Sequence, residues 1–133
     1  GNALKMYARA DLQIFKEEPE KALITLDSID QKYPNNALAD DILMAKARIF
    51  IQQKNYNAAV APLKKIVDEH PYDLWADDAV YLLGNIYEEH LNDKETAKSY
   101  YQKIITNYPG SIWIGDARKH FRILRGDKPD SSS

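Results

Sequence analysis

The chain has 133 residues, with 18 Lys plus Arg against 20 Asp plus Glu, a formal net charge of -2 and no cysteine. That length can bury a core, the balanced charge argues against a phosphate-tracking surface, and the missing cysteine removes disulfides, thiolate metal sites and thiol nucleophiles together. No apolar run approaches the roughly 20 residues needed to span a bilayer, and no signal peptide is visible.

Gly1 and Asn2 read as linker residues. From residue 3 onward, apolar positions recur at spacings of three and four, which predicts helices over 3–16, 19–32, 37–53, 56–69, 74–90, 93–107 and 111–125. These alternate as first (A) and second (B) helices of successive hairpins. The first A helix sets Leu4, Tyr7, Ala8, Leu12 and Phe15 on one stripe and Met6, Ala10 and Ile14 on another. Its own hairpin leaves apolar surface uncovered, so preceding repeats or a second copy should cover residues 3–16.

Pro19 suits the first turn of a B helix, whereas Pro62 falls inside one and predicts a local kink. Asp40-Asp41, Asp77-Asp78 and Asp116 occupy first turns of A helices, where carboxylates meet the positive end of the helix dipole. Asp93 and Ser111 are expected N-caps. On the last helix Arg118, Lys119, Arg122 and Arg125 make a basic outer side, with Ala117, Phe121 and Leu124 facing inward; this suits a soluble cap or a contact for an acidic partner. Residues 127–133 lack periodicity and are expected to be a disordered tail.

The strongest signal is an internal repeat. Tyr33-Pro34, His70-Pro71 and Tyr108-Pro109 place prolines 37 and 38 residues apart. Counting back from each, the twelfth residue is Ala22, Ala59 or Ala97, the eighth Leu26, Leu63 or Tyr101, and the fifth Ile29, Ile66 or Ile104. Ala10, Ala47 and Gly84 stand in the A helices, and Ala22, Ala59 and Ala97 in the B helices at the facing position, so the paired backbones can approach closely. A period in this range means stacked supersecondary units. The expected fold is all-α: a right-handed α-solenoid of about three and a half helical hairpins, seven helices in all, over residues 3–126. Its segments are 3–34, 35–71, 72–109 and a half repeat, 110–126.

Chemistry is sparse. His70 matches Tyr33 and Tyr108 at a helix end, and neither His90 nor His120 has a second histidine three or four residues away. Glu88, Glu89 and His90 are adjacent and point in different directions from a helix, so they form no metal or catalytic group. The five glycines form no phosphate-cradling loop. No catalysis, cofactor or metal is expected.

Gly84-x-x-Tyr87 followed by Ala97, Tyr101 and Pro109 resembles the tetratricopeptide repeat, as do Ala47, Phe50, Ala59, Leu63 and Pro71. Ala10, Ala22, Leu26 and Pro34 fit as well, but Gln13 holds the aromatic position. The repeats exceed the family's length of about 34 residues, and the loop Glu89 to Lys94 holds the residue that separates 37 from 38. Long repeats with Tyr-Pro or His-Pro endings and Ala-Asp-Asp helix starts look like those of bacterial cell-envelope members, the outer-membrane assembly lipoproteins and Tol-Pal-associated periplasmic proteins. That likeness implies a periplasmic or envelope location.

The resemblance further implies a noncatalytic scaffold that binds a protein or peptide along a concave face lined by A helices. Carried over by position, the lining residues are Tyr7, Asp11, Met44, Arg48, Tyr81, Asn85, Glu88 and Lys119. Because these lack the family's full set of carboxylate-gripping lysine, asparagine and arginine, no preference for a chaperone C-terminal peptide is expected. The expected partner is a protein, with no nucleic acid and no membrane insertion. The alternative is a structural spacer or a self-association module acting through the apolar first helix, including a homodimer.

Overall fold

A computed structural model describes residues 1–127, so the expected disorder of the tail lies, beyond Asp127, outside the described residues. It contains α1 (Asn2–Phe15), α2 (Pro19–Lys32), α3 (Ala39–Gln52), α4 (Tyr56–Glu69), α5 (Ala76–Glu89), α6 (Lys94–Asn107) and α7 (Ile114–Arg125). Among the described residues there are seven helices and no strand, so the chain is all-α, built from the helical hairpins of which solenoids are made. Two compact units, Gly1–Pro62 and Leu63 onward, divide it inside α4. In the first, α2 packs against both α1 and α3; in the second, α6 packs against both α5 and α7.

The turns within hairpins follow one device. Glu17 and Lys54 adopt φ of 60° and 61°, and the following residue, Glu18 or Asn55, donates its N–H to a carbonyl five positions back, Gln13 or Phe50. This left-handed residue closing the last helical turn is a helix C-terminal motif that usually recruits glycine. In the third hairpin the left-handed residue is Asn92, and Asp93 reaches back six residues to Tyr87, so the wider turn absorbs the extra residue where the sequence located it. Asp93 also caps α6: its side chain accepts from Thr96 N at 3.1 Å and Thr96 Oγ1 at 2.6 Å.

Between hairpins the A helices begin two or three residues later than the apolar pattern indicates. Asn36 Oδ1 accepts from Leu38 N at 2.8 Å, and Ser111 Oγ from Trp113 N at 3.0 Å, so each side chain folds a short turn ahead of its helix. Ser111 is therefore not the N-cap of α7, a place taken by Trp113. The turn is apolar enough to look helical, but its side-chain bonds compete with the helical ladder. Asn2, read as a linker residue, is helical, with Gly1 O accepting from Lys5 N at 3.2 Å.

The repeated small and apolar residues form the core: Ala10, Ala22, Leu26, Ile29, Ala47, Ala59, Leu63, Ile66, Gly84, Ala97, Tyr101 and Ile104 are all buried. In the second unit a side chain on Gly84 would meet the Tyr101 ring first, with its Cβ 2.8 Å from Cε1. Tyr101, rather than Ala97, is what crowds that position. The equivalent pair in the first repeat is Ala10 with Leu26, buried in one core, so the A-helix residue shrinks where the B-helix residue grows. Pro62 lies within α4, which runs unbroken from Tyr56 to Glu69. Its position is that of Thr25, which bonds Gln13 at 2.7 Å, and of Tyr100, which stacks on Tyr87 at 5.8 Å. Gln13 thus departs from the aromatic pattern together with its partner.

Candidate functional site

In the second unit the A-helix face of α5 meets α7 through an aromatic and polar cluster. Tyr81 lies parallel to Trp113, ring centroids 4.3 Å apart and planes 7° apart. Trp113 Nε1 donates to Asp78 Oδ1 at 2.7 Å, and Tyr81 OH donates to Asp116 Oδ2 at 3.4 Å. Each aspartate at a helix start therefore serves an aromatic ring on the other helix, in addition to any effect on the helix dipole. Burial and then the nearby Asp116 carboxylate raise the Tyr81 phenol above its ordinary range, so it remains a neutral donor.

Beneath this step lies Tyr101, fully buried, with its ring stacked on His120 at 4.7 Å and set edge-on to Tyr81 at 6.0 Å. Its hydroxyl is 2.8 Å from Glu88 Oε1 and 2.9 Å from Asn85 Oδ1. One hydroxyl proton cannot serve both acceptors at once, and the carboxylate is the stronger of the two. Burial and then the Glu88 hydrogen bond push the Tyr101 pKa far above the ordinary phenol range. Glu88 Oε1 also lies 2.8 Å from His120 Nδ1. Glu88 is thus committed to Tyr101 and His120, with 18% of its side chain exposed, and serves as a support for the face more than as a contact on it. Lys119 is exposed on α7.

The first unit holds Tyr7, Asp11, Met44 and Arg48. Tyr7 is half-buried, and its phenol is raised by burial first and then by Asp11 and Asp41, while Arg48 opposes them. Tyr7, Asp11 and Arg48 therefore share one electrostatic neighbourhood, in which Asp11 and Arg48 are exposed. Met44 does not join the exposed set: at 1% exposure it belongs to the core, because an unbranched thioether at this position fills space where Tyr7 and Tyr81 keep a polar tip in reach of water.

Trp113, Asp116 and His120 complete the cluster around Tyr81 and were absent from the expected lining. The repeat position shared by Leu38, Trp75 and Trp113 was the available signal for the first; His120 has no counterpart of its kind and could be placed only by packing. Among the described residues no group of three or more His, Cys, Asp or Glu side chains is arranged to hold a metal ion. No helix among them is long and apolar enough to cross a membrane.

Residues 41–71 and 78–111 match the family model for the tetratricopeptide repeat. Both segments are tetratricopeptide repeats. They coincide with the two A/B units whose small, aromatic, alanine, large apolar and proline positions agree best with that pattern, α3 with α4 and α5 with α6. A search of the curated proteins finds no match to the chain. Tetratricopeptide repeats generally mediate protein–protein interaction and typically carry no catalytic group, which makes a protein the class of partner indicated here.

Proposed function

We propose that the chain is a noncatalytic scaffold that binds a protein or peptide on its A-helix faces. The reading is carried by the Tyr81–Trp113 step, two rings held flat against each other by bonds to Asp116 and Asp78 beside the half-buried Asn85 and the exposed Lys119. Rings fixed in this way lose little freedom when a partner covers them, and the neighbouring amide and charge select among partners. Tyr7, Asp11 and Arg48 form the corresponding contact set in the first unit, while Met44 supports it from the core and Glu88 supports the second.

Panning a displayed peptide library against the whole chain, followed by calorimetry on the selected peptides, tests this. Binding should fall at least about tenfold in an Arg48→Ala/Tyr81→Ala/Asn85→Ala variant that keeps the helical circular dichroism of the parent. Selected peptides that bind the variant as well as the parent refute the reading. The long repeats with Tyr-Pro and His-Pro endings support placing the chain in a larger bacterial envelope protein. Recovery of the parent protein from the cytosolic fraction alone would overturn that placement.

A further inference from the structure

Repeat equivalence singles out one face of the first unit. A shift of 37 residues carries Ala8 to Ala45, Arg9 to Lys46 and Leu12 to Ile49, and a second such shift carries Leu12 to Ile86. Ile49 and Ile86 are 2% and 3% exposed, whereas Leu12 is 51% exposed. In α3 this face is covered by α2: Ile49 shares a core with Leu26 and Ile29, Ala45 packs against that core, and Lys46 pairs with Asp27. α1 presents the same arrangement of Ala8, Arg9 and Leu12, extended by Leu4 and Phe15 at 57% and 84% exposure.

We propose that this face of α1 is a docking seat for an acidic amphipathic helix built like α2. That helix carries Leu or Ile at two positions three apart, as Leu26 and Ile29 do, and a carboxylate directly after the first. The carboxylate meets Arg9 as Asp27 meets Lys46. The inference stands on α1 alone and is independent of the peptide-binding face described above.

Charge turns the seat away from the α1 of a second copy, and packing turns it away from a second copy's α2 and α6. The exposed Lys5 and Arg9 flank the stripe, so pairing α1 with itself would bring like charges together. The B helices α2 and α6 already pack against α3 and α7. On α7, the positions equivalent to Gly84 and Tyr87, which receive α6 residues in the third repeat, are Arg122 and Arg125. That surface offers charge where a further helix would need an apolar seat.

The probe is a labelled peptide with the sequence of residues 18–34, held helical by a lactam bridge on its solvent side and titrated into the whole chain by fluorescence anisotropy. Saturable binding is expected, weakened at least about tenfold by Leu12→Asp, whose side chain is exposed enough to leave the fold intact. Arg9→Asp should weaken it about two- to fivefold, and a peptide bearing Asp27→Arg should recover binding to that variant. Absence of binding, or binding indifferent to Leu12→Asp, overturns the proposal. So does a dimer of the chain in light scattering that Leu12→Asp dissolves, since the seat would then belong to a second copy.

Discussion

Gly84→Ala is the sharpest test of how the third repeat is packed. In an ordinary helix interior this change gains about 1 kcal/mol, because alanine restricts the unfolded chain and shields the backbone. Here the added carbon would sit 2.8 Å from Tyr101 Cε1, 3.0 Å from Cζ and 3.2 Å from Cδ1. The ring has little room to yield: it is fully buried, stacked on His120 and tied through its hydroxyl to Glu88 and Asn85. Overpacking of this kind costs about 1–3 kcal/mol, so the net effect should be a destabilisation on the order of 1 kcal/mol, read by urea unfolding of the whole chain. Tyr101→Leu alone should also destabilise, since it removes the phenol from Glu88 and Asn85. The double variant recreates the Ala/Leu pairing of the first repeat, and should be more stable than the sum of the single changes by about 1 kcal/mol. A Gly84→Ala protein that gains stability, or single effects that simply add, would refute the account of Gly84 as space reserved for Tyr101.

Three further outcomes follow from local geometry. Trp113→Phe keeps a ring against Tyr81 but deprives Asp78 of its 2.7 Å donor, and should cost about 1–2 kcal/mol in urea unfolding, a value a half-exposed bond can reach only if the stack holds it in place. Lys54→Gly relieves a left-handed residue at φ 61° of about 1–2 kcal/mol while adding about 0.5–1 kcal/mol of backbone entropy; a small rise in the urea midpoint is expected. Asp93→Ala should lower the melting temperature in a pH-dependent way. The hydrogen bonds from the Thr96 side chain and backbone hold the Asp93 carboxyl below its ordinary range, so the stability it contributes is present above its unfolded pKa and is lost as pH falls through the folded value. The difference between parent and variant should therefore vanish in strong acid and be full at neutral pH; a difference that persists in acid would show that the cap does not act through the carboxylate.

Much of the fold is legible without coordinates because a stacked hairpin uses each residue for a local purpose. Proline steps end the B helices, alanines mark close approach, and threefold and fourfold spacing marks the buried stripe, so all seven helices could be expected with ends correct to within three residues. The starts of α3 and α7 were less legible because Asn36 and Ser111 bond the neighbouring backbone, and an apolar spacing cannot distinguish a short turn so held from a first helical turn. The expected contact residues divide for the same reason. A position on an A helix is countable from sequence, but whether its tip reaches water depends on what another helix places over it, as burial of Met44 and capture of Glu88 by Tyr101 and His120 illustrate.

By itself the sequence determined the all-α class, the seven helices of the described residues and the burial of the repeated small residues, since these follow from periodicity and side-chain volume along the chain. Tertiary structure alone decided which polar groups meet: the pairing of Trp113 with Asp78, of Tyr81 with Asp116 and of Glu88 with His120 joins residues 32 to 35 positions apart. Such bonds depend on the rotation of one helix against another, and a spacing rule within a single helix carries no information about that angle.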